Sequence, residues 1–195
     1  KQVRNAVEYS KLIADGSVEP FDPVDLLTDR RIIIMDLSQS QDTWSKKHLV
    51  VSQVLRRIFS EALENRKFGC IIVLEEAMYY APQRGVFELG EKDSRGKLLE
   101  VIKEIATNGG RNGIGLWVVT QRLSTVEKTV VTQCANNVIC HSLEDVDKQR
   151  ISEILGTEFS ELIGDLPPGE AVVKGTAIKC RLPIWVKVLP EVYPA

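Results

Sequence analysis

Residues 70–82, with the sequence Cys-Ile-Ile-Val-Leu-Glu-Glu-Ala-Met-Tyr-Tyr-Ala-Pro, contain the clearest strand signal in the chain. Four apolar residues run without alternation from position 71 to position 74 and end at two adjacent carboxylates, Glu75 and Glu76. An uninterrupted apolar run of this length is typical of a strand buried on both faces, as in a parallel sheet. Because open α/β sheets bind ligands at the carboxyl ends of their strands, the acid pair stands where a ligand would bind.

The acid pair has two interpretations. At the end of a Walker B strand, one carboxylate would help to hold the Mg²⁺ of a bound nucleotide, and the next would orient and polarise the attacking water. Alternatively, Glu75 and Glu76 open the following helix, where the helix dipole favours negative charge. The position directly after a buried strand favours the first interpretation, but this stretch alone leaves both open.

Composition and charge bound the class of protein. The chain has 195 residues, of which 44% are hydrophobic and 27% charged, an ordinary balance for one globular domain. Its formal net charge of −2 argues against a uniformly basic nucleic-acid binder, although a local basic strip or channel is compatible with it. No apolar run of about 18 residues and no signal peptide is visible, so we expect a cytoplasmic protein with no membrane partner.

Two details of the sequence concern its processing and redox state. The chain begins at Lys1 without an initiator Met, so we treat it as a fragment or a processed product. The cysteines lack Cys-x-x-Cys spacing, and most lie in apolar runs, which predicts reduced thiols in the core of a cytosolic protein. The cysteines are Cys70, Cys134, Cys140 and Cys180.

The remainder of the chain alternates apolar strands with helical patterns. This order predicts a doubly wound α/β fold, with a mostly parallel sheet flanked by helices and a C-terminal β-hairpin. We expect one domain over residues 1–195, with 189–195 as an extension. Asp36, near the end of a predicted strand, is either structural or at the ligand edge of the sheet. The predicted helices cover residues 2–14, 43–66, 98–106, 124–135, 145–155 and 158–163. The predicted buried strands cover residues 31–37, 70–74, 114–120 and 137–141. A hairpin is predicted at residues 171–174 and 178–188, and Pro183 favours an edge position for its second strand.

The loop predicted at residues 83–96 is glycine-rich but is not a phosphate loop. Five residues separate Gly90 from Gly96 where a Walker A motif has four, and Leu98 stands where a Mg²⁺-binding Ser or Thr belongs. No Gly-x-x-x-x-Gly-Lys-Ser/Thr occurs anywhere in the chain. The basic residues of this region either bind nucleic-acid phosphates or belong to a solvated loop. They are Arg84, Lys92, Arg95 and Lys97.

Four motifs, taken in order, resemble the HerA/FtsK-type translocating ATPases, and HerA most of all. Residues 73–82 resemble the Walker B segment of this family. Residues 110–124 resemble its arginine-finger loop, strand and sensor, and residues 33–38 resemble the strand before its long helix. Residues 166–171 resemble its late turn. The similarity extends from about residue 21 to residue 190, over most of the chain.

The resemblance implies a RecA-like P-loop NTPase fold and a specific activity. HerA-type proteins are homo-hexameric, ATP-driven translocases or helicases of archaea and some bacteria that act on double-stranded DNA. They work with a NurA-type nuclease in the resection of DNA ends during double-strand break repair. ATP and Mg²⁺ are therefore the cofactors that the resemblance implies.

The resemblance also implies roles for four residues. Glu75 would lie on the Mg²⁺ side, through a water, and Glu76 would activate the attacking water, although which acid does which remains open. Arg111 would be the finger that reaches the neighbouring subunit's nucleotide, an interaction worth ~10³ or more in rate. Gln121 would be the sensor of the γ-phosphate. From spacing alone, Arg111 is an exposed turn residue and Gln121 could equally terminate a strand.

The chain departs from the family because the Walker A half is absent. The sequence therefore resembles the C-terminal half of the ATPase core, and alone we expect it to bind ATP poorly and to be inactive. Two alternatives stay open. The chain could be a non-catalytic P-loop-like assembly module, or part of a motor of the conjugation or secretion type.

Overall fold

The computed structural model describes residues 22–29, 32–38, 41–86, 89–140 and 145–187. The predicted helix at 2–14 and the extension at 189–195 lie outside these ranges. The described helices are α1 (Pro23–Asp29), α2 (Trp44–Glu64), α3 (Lys92–Asn108), α4 (Lys128–Gln133), α5 (Asp145–Leu155) and α6 (Thr157–Leu162). The described strands are β1 (Cys70–Leu74), β2 (Ile114–Val118), β3 (Asn136–Ile139), β4 (Glu170–Gly175) and β5 (Ile184–Lys187).

The chain divides into two compact units, one over residues 1–120 and the other over residues 121–195. The α/β fold class is confirmed, because the first unit contains a parallel strand pair and the second an antiparallel sheet with helices. The single-domain organisation over residues 1–195 remains a prediction. Among the described residues, no helix is both long and apolar enough to cross a membrane.

In the first unit, β1 and β2 pair in parallel, with Cys70 opposite Ile114 and Leu74 opposite Val118. Helices α2 and α3 pack against each other, and α3 also contacts β2. The core of this unit comes from the apolar faces of these elements. Its fully or nearly fully buried members include Leu55, Ile58, Phe59, Ala62, Leu74, Leu98, Val101, Ile102, Ile105 and Ile114.

The expectation that β1 is buried on both faces is wrong. Ile72 and Leu74 are buried, but Ile71 and Val73 are 61% and 52% exposed. Successive side chains of a strand point to opposite faces, so the described structure covers one face of β1 and leaves the other open. The opposite side chain on β2, Trp117, is 62% exposed as well.

The buried strand predicted at residues 31–37 is also not observed. Residues 32–37 have no regular secondary structure, and Ile32 and Ile34 are 78% and 85% exposed. Among the described strands, β1 pairs only with β2. A groove of about 240 Å³ along β1 is lined by α1, α2 and residues of the 33–37 segment, so this segment does not close against the strand.

In the second unit, β3, β4 and β5 form an antiparallel sheet in that order. The C-terminal hairpin is confirmed in its pairing, with Val173 opposite Ile184, and β5 is an edge strand as predicted. Its second strand begins at Ile184 rather than at residue 178. The strand predicted at 137–141 is antiparallel to β4 rather than part of a parallel sheet. Helices α5 and α6 pack together, and the core of the unit consists of Ile151, Leu155, Ile163, Leu166 and Val172.

The cysteine prediction holds in part. All four cysteines are free thiols. Cys70 and Cys134 are half-buried, and burial raises the pKa of both thiols. Cys140 and Cys180 are exposed, so they are not core residues.

Candidate functional site

The acid pair lies at the carboxyl end of β1, in an unusual backbone conformation. Glu76 has φ 50° and ψ 56°, and it is the one non-glycine residue with positive φ in the described part of the chain. A left-handed backbone costs a non-glycine residue about 1–2 kcal/mol, so the surrounding structure must hold it in place. Glu75 is exposed, whereas Glu76 is half-buried and its Oε2 atom is shielded from solvent.

Hydrogen bonds on both sides of Glu76 fix this turn. The Val119 N–H donates to Leu74 O (3.0 Å), and the Ala77 N–H donates to Val119 O (2.9 Å). The Tyr79 N–H donates to Glu76 O (3.0 Å) and closes one 3₁₀ turn, Ala77–Tyr79. The carboxyl ends of β1 and β2 therefore meet around the acid pair.

The geometry gives little support to the alternative in which Glu75 and Glu76 only form the N-terminus of a helix. The element after Glu76 is a three-residue 3₁₀ turn, and the Glu76 side chain makes no capping hydrogen bond to it. One short turn has a small dipole, because the macrodipole is a sum over aligned peptide units.

The first turn of α2 supports the segment that follows the acids. The Trp44 ring stacks on the Tyr79 ring, with centroids 4.9 Å apart and planes 8° apart. His48 is fully buried, and its Nε2 lies 2.8 Å from Tyr79 O. Since a carbonyl oxygen only accepts, Nε2 carries the proton and donates. Sequence reasoning missed Trp44 and His48, because their contacts with Tyr79 join segments that are far apart in the sequence.

Asp36 lies close to this region. Hydrogen bonds from Ser38, including its N–H at 2.8 Å, lower the pKa of Asp36, and the charge of Lys47 lowers it further. Lys47 is buried, donates to Leu37 O (2.8 Å) and lies 5.0 Å from the Trp44 ring centroid. Burial, and to a smaller extent the charge of Asp36, raises the pKa of Tyr80. Asp36 therefore anchors the end of the 32–38 segment near the α2 terminus.

Arg111 is presented by a glycine-rich turn. It is exposed in the 3₁₀ turn Gly110–Asn112, which is closed by the Asn112 and Ile114 N–H groups, both donating to Gly109 O (2.9 Å). This turn precedes β2, so Arg111 is at the amino end of the parallel pair and Glu76 is at its carboxyl end. Five residues of strand lie between the two ends, about 16 Å at the usual rise of a strand. The structure does not bring Arg111 and Glu76 of one chain together.

Gln121 follows the carboxyl end of β2 by three residues, and it is exposed. It begins the second compact unit, whereas the acid pair belongs to the first. Its role as a sensor remains a prediction.

The four basic residues proposed for phosphate contacts have different environments. Residues from Lys92 onward belong to α3 rather than to a loop, which corrects the predicted loop 83–96. Arg95 is half-buried, and its Nη1 donates to Leu89 O (3.3 Å) and Gly90 O (3.4 Å), which is a structural role. Lys97 pairs with Asp93 (3.0 Å) in a helical i,i+4 arrangement. Arg84 and Lys92 are exposed, and nucleic-acid binding by these residues remains a prediction.

The acid pair is suited to the magnesium ion of a nucleotide. Within the described ranges, no group of three or more His, Cys, Asp or Glu side chains could hold a metal by itself. Mg²⁺ at nucleotide sites uses one or two carboxylates together with phosphates and waters. Two adjacent carboxylates at a strand end, one exposed and one half-buried, fit that arrangement.

Comparison with known proteins gives relatives but no matching family model. The chain is 28% identical over 177 residues to the DNA double-strand break repair helicase HerA of Sulfurisphaera tokodaii, a match that covers 86% of this chain and 33% of the relative. It is 30% identical over 149 residues to the HerA of Saccharolobus solfataricus, covering 71% of this chain and 28% of the relative. The chain thus spans about a third of the length of the curated relatives it matches, and the resemblance to HerA-type proteins is confirmed.

Solved structures support the fold. The genome packaging NTPase B204 of Sulfolobus turreted icosahedral virus 2, in complex with ATP-gammaS, superposes with a TM-score of 0.59 at 14% identity and covers 88% of this chain and 74% of its own. The same packaging NTPase in complex with AMPPCP gives a TM-score of 0.53 at 16% identity, over 71% of this chain and 62% of its own. At this level of identity the likeness concerns the fold alone.

Proposed function

We propose that this chain, a relative of the HerA-type helicases over most of its length, is the C-terminal half of the ATPase core of a DNA-translocating motor. The observation that supports this most strongly is the Glu76 turn. A strained, half-buried carboxylate sits where the carboxyl ends of two parallel strands meet. Strain of this kind is concentrated at functional sites, because it persists only where the surrounding structure enforces it.

The two glutamates would have separate tasks. Glu76 is the water-orienting carboxylate, because its backbone is fixed by hydrogen bonds on both sides and one of its oxygens is shielded from solvent. Such a carboxylate holds the nucleophilic water in line and accepts its proton as the phosphoryl group is transferred. Glu75 is exposed and would contact the hydrated Mg²⁺. A Mg²⁺ ion held there would supply positive charge that offsets the negative charge developing on the phosphate groups.

Arg111 would act on the nucleotide of a neighbouring subunit. The separation of about 16 Å along the strands between the two ends of the parallel pair argues against action on the site of its own chain. An exposed guanidinium on a hydrogen-bonded turn is suited to reach across an interface. The proposal therefore includes a ring of identical subunits, a homo-hexamer as in the family. The resemblance to the family implies that Gln121 would be the γ-phosphate sensor.

The substrate, location and partner that we propose are those implied by the resemblance to HerA-type proteins. The motor would move on double-stranded DNA in the cytoplasm and work with a NurA-type nuclease in the resection of broken ends. Arg84 and Lys92 are exposed residues that could contact DNA phosphates, whereas the hydrogen bonds of Arg95 favour a structural role. A Walker A half elsewhere in the full-length protein would supply the phosphate cradle.

Subunit mixing in the full-length protein tests this function. Glu76→Gln and Arg111→Ala proteins are each expected to show almost no DNA-stimulated ATP hydrolysis alone. Mixed, they should recover activity, because a subunit with an intact Glu76 can receive Arg111 from its neighbour. Arg56→Ala, an exposed arginine on α2, is the matched control and should keep full activity. No recovery in the mixture would refute action in trans, and no DNA-stimulated hydrolysis by the unmodified protein would refute the motor assignment.

A further inference from the structure

We infer that His48 is a positioning residue for Glu76, acting through the carbonyl group of Tyr79. This inference rests on the proposed function, since it assigns the support of the same carboxylate. His48 lies one turn after the start of α2, far from the acid pair in sequence and outside the four motifs of the resemblance. Its side chain is fully buried, and Nε2 donates to Tyr79 O at 2.8 Å.

The chemistry of the buried ring argues for a specific hydrogen bond rather than for simple packing. Nδ1 of His48 is buried and has no hydrogen-bond partner among the described residues. Burying an unsatisfied ring nitrogen is unfavourable, and an apolar side chain of similar size would avoid it. Of the two ring nitrogens, the structure therefore gives a hydrogen-bonding role to Nε2 alone among the described residues.

Tyr79, whose carbonyl accepts that hydrogen bond, is itself hydrogen-bonded to the backbone of Glu76. The Tyr79 N–H donates to Glu76 O (3.0 Å), so Tyr79 closes the turn that begins at the left-handed glutamate. Trp44, one turn before His48 in α2, stacks on the Tyr79 ring. Tyr79 is thus held through its ring, its N–H and its carbonyl, and two of these three contacts come from the start of α2.

The start of α2 also contacts residues 90–91, further along the chain from Tyr79. The Glu91 N–H donates to Ser45 Oγ (2.7 Å), and the backbone of Gly90, at φ 72°, lies against Ser45 and the His48 ring. The start of α2 therefore contacts both Tyr79 and residues 90–91. If His48 loses its donor, Tyr79 can move, and the water-orienting carboxylate moves with it.

The test compares His48→Leu with His48→Gln in the full-length protein. Leucine fills the space without a donor, whereas the glutamine amide can donate from about the position of Nε2. Displacement of a catalytic group by about 1 Å costs ~10²-fold in rate. We therefore expect kcat for ATP to fall by about 10²-fold in His48→Leu with KM nearly unchanged, and to recover in His48→Gln. Ser52→Ala, a buried change one turn further along α2, should leave kcat unchanged.

A second pair of variants keeps the inference testable if His48→Leu does not fold. Trp44 is only half-buried, and Trp44→Leu removes the ring that stacks on Tyr79, whereas Trp44→Phe keeps an aromatic ring there. We expect the same lowering of kcat in Trp44→Leu and recovery in Trp44→Phe. Thermal unfolding of every variant separates a general loss of folded protein from a loss of turnover.

A double variant separates failure of this inference from failure of the proposed function. Because His48 acts through Glu76, Glu76→Gln with His48→Leu should be no slower than Glu76→Gln alone. If Glu76→Gln hydrolyses ATP normally, the proposed function of Glu76 is wrong. If Glu76→Gln is inactive while His48→Leu and Trp44→Leu retain kcat, or if His48→Gln restores stability but not kcat, the positioning role is wrong.

Discussion

The turn that presents Arg111 contains a matched pair of glycines for which we expect opposite effects of alanine. Gly113 ends the turn at φ 81°, and a Cβ added there would lie 2.9 Å from the backbone oxygen of Phe68. Gly110 begins the same turn, lacks the left-handed backbone, and has nothing within 4 Å of the corresponding position. Gly113→Ala should therefore destabilise the first unit, and Gly110→Ala should not.

The expected loss of stability in Gly113→Ala has two contributions. A left-handed backbone costs alanine about 1–2 kcal/mol relative to glycine. The contact with Phe68 O is with backbone, and relief of such overpacking costs about 1–3 kcal/mol. Together, Gly113→Ala should lower the free energy of unfolding by about 2–5 kcal/mol. Gly110→Ala should instead raise it by about 0.4–1 kcal/mol, because alanine restricts the unfolded chain.

Equilibrium urea unfolding followed by far-UV circular dichroism measures both effects. The predicted result is a lower midpoint for Gly113→Ala and an equal or higher midpoint for Gly110→Ala, compared with the unmodified chain. If both variants lose the same stability, or if Gly113→Ala is neutral, the described geometry of this turn is wrong. The presentation of Arg111 would then need a different explanation.

Three further predictions concern buried polar groups and thiols. Asp147 is buried and accepts the Ser124 N–H at 2.6 Å, so Asp147→Ala should cost about 1–3 kcal/mol in urea unfolding and Asp147→Asn less. Burial raises the pKa of the Cys134 thiol, so iodoacetamide at pH 8 should label the exposed Cys140 and Cys180 before Cys134, as peptide mass spectrometry would show. Burial lowers the pKa of His48 below its usual value of 6.5, so the unfolded chain binds its proton more readily than the folded chain. Stability should therefore fall as the pH drops through about 6.5, and His48→Gln should remove that part of the fall, whereas an unchanged pH profile would contradict it.

The sequence predicted the features that depend on local pattern. The apolar run before Glu75 predicted β1, and its parallel pairing with a second strand is observed. The 3.6-residue period predicted the long helix α2, observed as Trp44–Glu64. The C-terminal hairpin was predicted in its pairing, because turn residues and alternation are local signals.

The predictions that were wrong or missing concern which parts of the chain pack against the face or edge of a strand or helix. An apolar run cannot tell a strand covered on two faces from one covered on a single face, so the exposure of Ile71 and Val73 could not be predicted. Residues 32–37 have a strand-like composition but no strand partner in the described structure. The contact of His48 with Tyr79 joins residues 31 apart in sequence, and no periodic pattern encodes such a contact.

The role proposed for Glu76 is to orient the attacking water. Its most direct test is steady-state ATP hydrolysis by the full-length Glu76→Gln protein, measured beside ATP binding and compared with Glu75→Gln, the variant of the acid assigned to the Mg²⁺ side. We predict that Glu76→Gln binds ATP like the unmodified protein and hydrolyses it at least about 10²-fold more slowly. Unchanged hydrolysis by Glu76→Gln, or loss of turnover with intact binding in Glu75→Gln alone, would contradict the claim.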